Sequence, residues 1–185
     1  MTASTANYTV SKGIVSWKPE GASTYRDLGN APALSVTPEI EWLEHFSSRA
    51  GIRAKDLEVP VKLAGTVAIT LDEFTLENVA LAILGEVEDQ TTGDPGFIAS
   101  LGAGETQRRR VGIMTESQII GALRYVGTNS VGRRVQVELP RVAFKGGSAL
   151  NLVSDEWNQF ELTGELLLDT ATTGNIGFGR IYEIA

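Results

Sequence analysis

Apolar and polar residues alternate most regularly in the stretch that ends at Leu71. The large apolar residues there recur at every second position, interrupted only at Gly65. A period of two places them on one face of a β-strand, which predicts a long, half-buried strand. The residues of the predicted buried face are Val59, Val61, Leu63, Val67, Ile69 and Leu71.

The pattern changes to a helical period just after this strand. Apolar residues then recur at spacings of three and four, which predicts one short helix with a single apolar stripe. Thr75 is suited to the N-cap, Glu77 to the first turn, and Gly85 to a left-handed C-terminal stop. We expect the stripe to pack on the sheet as core, and its residues are Leu76, Val79, Ala80, Ile83 and Leu84.

A second long alternation precedes the first. It predicts a strand with one apolar face (Leu34, Val36, Ile40, Trp42 and Phe46) and one polar face (Ser35, Thr37, Glu39 and Glu41). Pro38 cannot donate to a sheet ladder, which indicates an edge strand or a bulge.

The segment that follows, residues 45–58, mixes both signs of charge through Arg49, Arg53, Lys55 and Asp56. This composition favours a projecting loop. Two interpretations of its charges are open: an ordinary solvated surface, or contact with another subunit.

Residues 86–107 show no sustained period and contain several glycines, which predicts a long loop. Three arginines, 108–110, follow this loop. Because no aromatic residues are interleaved with them in an acidic chain, a nucleic-acid site is disfavoured, and an intersubunit salt bridge is at least as good an interpretation.

Further strands are predicted along most of the remaining chain. They cover residues 8–17, 119–126, 135–144 and 160–169, with a last strand near the end, and a phase change at Pro140 predicts a β-bulge. In the 160–169 strand, Phe160, Leu162, Leu166 and Leu168 share one face, and Glu161, Thr163, Glu165 and Asp169 share the other.

Together these elements predict a mainly β fold, an antiparallel β-sandwich or barrel with one flanking α-helix and a long projecting loop. We expect a single domain over residues 1–185, with a flexible start at residues 1–7.

Composition narrows the classes of function. The formal net charge is -7 and the sequence pI is about 4.8, which argues against a protein that grips nucleic-acid phosphates. The 185 residues include no cysteine and one histidine, so neither a thiolate metal site nor a cofactor is expected. No apolar run approaches the length of a membrane span and no signal peptide is recognisable. We therefore expect synthesis in the cytoplasm and no membrane partner.

Catalysis by paired carboxylates is the remaining enzymatic hypothesis. Glu161 and Glu165 would lie about 13 Å apart on a strand, too far for glycoside hydrolysis. Glu39 and Glu41 would lie about 6.6 Å apart, a separation that an inverting glycosidase could use. Since nothing around them builds a sugar cleft, we expect that the chain is not an enzyme.

Several phrases of the sequence resemble the tail tube proteins of bacteriophages with long, non-contractile tails. They are PEIEWLEHFSSRAG (38–51), AITLDEFTLENVALAILG (68–85), GALRYVGTN (121–129), VELPRV (137–142), DEW (155–157) and ELTGE (161–165). The resemblance covers roughly residues 13–169.

This resemblance implies a structural virion protein. Six copies would close into a ring, and stacked rings would form a hollow tube that conducts DNA into the host. The partners would be other copies of the chain, the tape measure, the tail terminator and the tail tip, with DNA only as non-specific cargo. Localisation would be the virion tail. No additional C-terminal immunoglobulin-like domain, as some relatives carry, is expected.

The resemblance also assigns expected roles to residues. Arg49, Arg53, Lys55 and Asp56 would lie in the loop that reaches the neighbouring ring. An acidic strand face would line the lumen, since carboxylates repel phosphates; the candidates are Glu161, Thr163, Glu165, Asp169, Glu39 and Glu41. The alternatives are another virion component of sandwich type, such as a capsid decoration or tail-tip adhesin module, and a carboxylate-dependent glycan hydrolase.

Overall fold

The computed structural model describes residues 8–49, 51–90, 94, 109–128, 131–146, 149–170 and 177–184. Within these ranges the chain forms ten strands and one helix. They are β1 (Gly13–Pro19), β2 (Arg26–Asp27), β3 (Ala33–Ser47), β4 (Ala54–Leu71), α1 (Leu76–Ala82), β5 (Val87–Asp89), β6 (Arg109–Val111), β7 (Ile119–Gly127), β8 (Arg134–Gly146), β9 (Phe160–Leu166) and β10 (Arg180–Ile184). The predicted mainly β fold with one α-helix is confirmed.

Eight of the strands form one antiparallel sheet. Its order is β2-β1-β7-β8-β9-β4-β3, and β10 pairs with the first half of β8. β5 and β6 form a separate two-stranded sheet. The large sheet curls around a single core, because Val15 of β1 and Val67 of β4 belong to the same buried cluster although three strands separate them in the sheet.

The core contains large side chains from both halves of the curled sheet. Trp17 of β1 packs on Phe144 of β8 with ring centroids 4.8 Å apart. Leu162 of β9 and Ile69 of β4 are buried beside each other in register. Such burial stabilises the fold by about 1.5–3 kcal/mol for each large apolar side chain.

The helix α1 covers one end of the core. The Thr75 side chain accepts a hydrogen bond from the Asn78 backbone N–H at 3.2 Å, so the predicted N-cap is confirmed. The C-terminal stop was predicted wrongly. Leu84, with φ of 52°, takes the left-handed conformation instead of Gly85. Gly85 is required for space, because a Cβ there would lie 2.1 Å from the Gly112 carbonyl oxygen.

The predicted core stripe of the helix is correct in part. Val79, Ala80 and Leu84 are buried. Leu76 is exposed, and Ile83 is partly buried at the C-cap, where it packs against the core. The short helix also buries Asn78, Leu81 and Ala82, because it lies in a corner between the sheet and the β5–β6 pair and contacts neighbours on more than one side.

Two predictions about irregular backbone are confirmed. Pro38 lies on β3, which is the edge strand of the sheet. The β7–β8 pairing shifts register between Gly121 and Leu123, opposite Val142 and Leu139, so the bulge falls on β8 at Pro140 and Arg141.

The predicted loop at residues 45–58 has more structure than expected. β3 and β4 pair from Ala33↔Thr70 to Ser47↔Ala54, so this segment is the end of a long β-hairpin whose last paired residues are Ser47 and Ala54. The mixed charge of residues 45–58 gave no strand signal in the sequence. The two strands pair with each other and so satisfy their backbone groups, which does not require buried side chains.

In the far half of this hairpin, the prediction of a half-buried strand is wrong. Val67, Ile69 and Leu71 are buried as expected, whereas Leu63 is 61% exposed, and Val59 and Val61 are exposed as well. Apolar residues continue past the edge of the core, where none of the residues that the structure describes covers them.

Strand β9 shows the expected alternation of buried and exposed residues from Phe160 to Leu166. The strand ends there, so Leu168 is exposed rather than part of the core. Asp169 also lies beyond the strand, with its backbone N–H directed at the Gly177 carbonyl oxygen.

Candidate functional site

A polar, acidic face extends over three neighbouring strands. Thr66 of β4 stands opposite Glu165 of β9 on one side and Thr37 of β3 on the other. Because directly paired residues project to the same face, Glu161, Thr163 and Glu165 share that face with Glu39 and Glu41. Sequence patterning predicted the two acidic sets separately; the sheet joins them. We call this surface the acidic face: Glu39, Glu41, Thr37, Thr66, Glu161, Thr163 and Glu165.

The acidic face is only partly neutralised. Lys145 at the end of β8 donates to Glu165 Oε2 at 2.5 Å. Lys62 stands directly opposite Glu41 in the β3–β4 register. Four carboxylates therefore face two ammonium groups, and the surface keeps an excess of negative charge. Asp169, also predicted for this face, follows the end of β9 and is not part of it.

The acidic face is open rather than enclosed. A wide depression of about 460 Å³ lies over β9 and is lined by Glu161, Thr163, Glu165, Thr66 and Lys145. The part of the chain that the structure describes contains no group of three His, Asp or Glu side chains that could hold a metal ion. The acidic face therefore offers charged and hydrogen-bonding groups, and the described residues form no set of metal ligands there.

The predicted ring-contact residues lie at the tip of the β3–β4 hairpin. Lys55 donates to Glu44 at 2.7 Å and also pairs with Glu58. Those side-chain hydrogen bonds to the two carboxylates raise the pKa of Lys55. His45 Nδ1 lies 2.6 Å from Asp56 Oδ1.

The two predicted arginines at this tip differ in their contacts. The Arg53 guanidinium lies 5.7 Å from the centre of the Phe46 ring. The backbone N–H of Arg49 is directed at the Ser47 hydroxyl. Lys55 and Asp56 therefore have partners inside the hairpin, and the tip is ordered by its own ion pairs.

Both faces of the far hairpin carry exposed apolar side chains. Ile40, 51% exposed, lies opposite Leu63 on the face that continues the core. Register shifts next to Trp42 and Phe46 then bring further apolar residues to the opposite face, where Leu43 is paired with Val59. A two-stranded ribbon with apolar groups on both faces is stable in water only when it packs against something else.

The arginines after the long loop pair within the chain. Arg109 donates to Glu77 at 2.7 Å and lies 3.3 Å from Asp89; Arg110 pairs with Glu88 at 2.6 Å. Within the single chain, β5 and α1 supply carboxylate partners for these two arginines, and an intersubunit salt bridge stays a prediction. Arg108 and residues 91–93 and 95–107 of the predicted loop lie outside the described residues.

A buried polar cluster beneath the N-terminus of α1 was not predicted. Asn78, fully buried, accepts from Arg26 at 2.7 Å and donates to the backbone carbonyls of Leu28 and Glu73. Burial lowers the pKa of Arg26 although Glu77 and Asp27 oppose this effect. The only available sequence signal was a polar residue next to the apolar stripe, and Arg26 is 52 residues away.

No helix among the residues that the structure describes has the length and apolar character needed to cross a membrane. The fold and these surfaces define a mainly β, antiparallel protein with an acidic sheet face and a protruding hairpin. The chain belongs to a family described as "Protein of unknown function UCP028589", whose model matches residues 8–95 and 104–184. No curated protein matches the chain significantly.

Proposed function

We propose that this chain is a structural subunit of the tail tube of a long, non-contractile bacteriophage tail. Six copies form a ring, and the rings stack into a hollow tube through which the genome passes into the host. The resemblance of residues 13–169 to such proteins supports this assembly, and so do the two surfaces described above. The chain acts by assembling and not as an enzyme.

The observation that carries the proposal is the β3–β4 hairpin. Its far half extends beyond the core and exposes large apolar residues on both faces, with Ile40, Trp42 and Leu63 on one of them. Exposed apolar patches of this kind mark protein–protein interfaces. A hairpin that extends beyond its own body can reach a neighbouring ring, and packing there would stabilise a two-stranded ribbon that is marginal in water by itself.

The acidic face supports the second half of the proposal, conduction of DNA. It spans β3, β4 and β9 and carries four carboxylates against two lysines. Toward the lumen, this charge would repel phosphates and deny DNA the counterion release that makes basic surfaces adhesive. We therefore propose Glu39, Glu41, Glu161, Thr163 and Glu165 as lumen-lining residues.

The proposal names the partners and the location of the protein. The main partner is the chain itself, within and between rings. The tape measure, tail terminator and tail tip proteins would contact the inside and the ends of the tube, and DNA would be transient cargo. The protein would be made in the bacterial cytoplasm and would reside in the virion tail.

Electron microscopy of the purified full-length protein tests the proposal. We expect rings or tubes with a central channel, with a fraction assembled that rises with protein concentration. Monomers at every concentration, or closed trimers, would contradict a tube and favour another virion component. Release of sugars from glycans by the purified protein would overturn the structural role.

A further inference from the structure

The segment before β9, residues 149–159, carries apolar side chains that its own chain leaves in water. Trp157 is 94% exposed and Val153 is 97% exposed, and Leu152 is exposed beside them. Tryptophan is among the residues that most often dominate binding energy at interfaces. Asp155 and Glu156 precede the indole, so the segment combines an aromatic anchor with two negative charges.

A groove elsewhere on the chain is complementary to this segment, because its walls are mainly apolar and a lysine lies beside it. It lies between the two edges of the curled sheet and has a volume of about 390 Å³. Its walls are mainly apolar, with Val15, Leu34, Leu123 and Leu139 among them. We call it the β1–β3 groove. This volume falls within the roughly 300–1,000 Å³ of pockets that hold small organic groups, so the groove is large enough for an indole.

Charge distinguishes this groove from a second one of similar size. Lys12 lies at the β1–β3 groove, and no Asp or Glu is among the described residues that line it. The groove beneath α1 is instead lined by three carboxylates, Glu77, Glu86 and Glu116, against one cation, Arg26. An acidic segment is attracted to the first groove and is repelled by most of the charges at the second.

We propose that residues 152–157 of one copy dock into the β1–β3 groove of a second copy, with the Trp157 indole as the anchor. The occupant is a second copy because, within a single chain, Trp157 stays almost fully exposed. Such a contact joins two different surfaces, which generates rings or filaments rather than a closed dimer. The inference rests on the proposed self-assembly and names one of its contacts.

Two substitutions test the anchor. Trp157→Ala should raise the protein concentration needed for half-assembly at least about tenfold, as measured by sedimentation, since central aromatic anchors carry more than 1.4 kcal/mol. Ile113→Ala is the matched control, because Ile113 is similarly exposed but lies in neither the segment nor the groove. It should change that concentration by less than about twofold. Assembly of Trp157→Ala at the wild-type concentration would overturn the inference.

Cross-linking locates the contact, since the natural chain contains no cysteine. Protein carrying Val153→Cys is mixed with protein carrying Ala33→Cys, which lines the groove. We expect the mixed disulfide to form at least about tenfold faster than with Ala22→Cys, an exposed control near the other end of β1, if docking holds the two thiols within bonding distance.

The outcomes separate the two proposals. Assemblies that form with equal cross-linking of Ala33→Cys and Ala22→Cys would overturn the docking and leave the tube proposal standing. A preferred Ala33→Cys cross-link in filaments or rings without a channel would support the docking and contradict the tube. A wild-type protein that never self-associates would overturn both.

Discussion

At the residue scale, Asn78 shows how one side chain connects distant parts of the chain. Its fully buried amide group donates to the Leu28 and Glu73 carbonyls and accepts from Arg26, which is itself half-buried. A buried polar group is favourable only while its partners are present, because an unpaired buried group keeps the cost of its desolvation.

Replacement of Asn78 should therefore be costly. We expect Asn78→Ala to lower the free energy of unfolding by about 2–3 kcal/mol. The substitution removes the donor to the buried Leu28 carbonyl and one of the acceptors of the half-buried Arg26 guanidinium, which keeps the Asp27 carbonyl. Denaturant titration measures the loss. The control Asn151→Ala, at an exposed position, should stay within about 0.5 kcal/mol of wild type. Equal stability of the two variants would show that the cluster contributes nothing.

The pair of Glu77 and Arg109 gives a prediction about pH. The hydrogen bond from Arg109 lowers the pKa of Glu77. A carboxyl whose folded pKa is depressed stabilises the fold above its ordinary value of 4.5 and loses that contribution as pH falls through the folded pKa. The difference in melting temperature between wild type and Glu77→Gln should thus be largest near neutral pH and shrink as pH falls below 4.5 and through the lowered pKa of Glu77.

The Arg109→Gln background is the control for this pH effect. Without the guanidinium, the same Glu77→Gln comparison should depend much less on pH. A pH dependence that is unchanged in that background would assign the depressed pKa to the helix N-terminus rather than to Arg109. The effect is small in either case, because both side chains are partly exposed.

At the element scale, the β3–β4 hairpin combines complete backbone pairing with apolar side chains that stay exposed. Its strands pair over their whole length, and its tip is ordered by Glu44, Lys55 and Glu58. Those contacts hold the shape of the hairpin but leave Ile40, Trp42 and Leu63 exposed. The hairpin thus exposes apolar surface that packing against a neighbouring subunit would bury.

Charge reversal at the tip should weaken assembly. Arg53→Glu with Lys55→Glu places like charges beside Glu44 and Glu58 and across the proposed ring contact, where repulsion costs several kcal/mol. The subunit should remain folded, with a near-wild-type melting temperature, while sedimentation shows fewer and shorter tubes.

The neutral pair Arg53→Gln with Lys55→Gln separates repulsion from the simple loss of charge. It should assemble better than the reversed pair and less well than wild type. Tubes of normal length from the reversed pair would exclude the tip from the ring contact.

At the scale of the whole molecule, the curl of the sheet gives the chain two different surfaces. The concave side is the core, and the outer side of β3, β4 and β9 is the acidic face. Because alternate side chains of a strand project to opposite sides of the sheet, a substitution on the acidic face should leave the core packing unchanged.

Reversing charge on the acidic face should change its behaviour toward DNA. Assembled Glu39→Lys with Glu161→Lys should bind short duplex DNA at low salt, and binding should fall steeply as salt rises, because released counterions drive such binding. Wild-type assemblies should not bind. Fluorescence anisotropy with labelled DNA measures both.

The matched control carries Glu86→Lys with Glu116→Lys, two exposed acids next to α1 rather than on the acidic face. It makes the same change in net charge. Equal DNA binding by both variants would show that total charge, and not the acidic face, controls contact with DNA.

The sequence by itself determined the features of this protein that depend on short stretches of the chain. It predicted the alternation of β9, the bulge at Pro140, the Thr75 cap and the edge position of Pro38, because each depends on neighbours within a few residues. Tertiary structure decided the rest. Glu39 and Glu161 share a face only because β4 pairs with both β3 and β9. Arg26 donates to Asn78, which is 52 residues away in the sequence. Leu63 is exposed because β4 extends beyond the core that buries Val67. Periodicity reports which side chains share a face of an element; where that element ends relative to the core, and what lies opposite, depends on contacts distant in sequence.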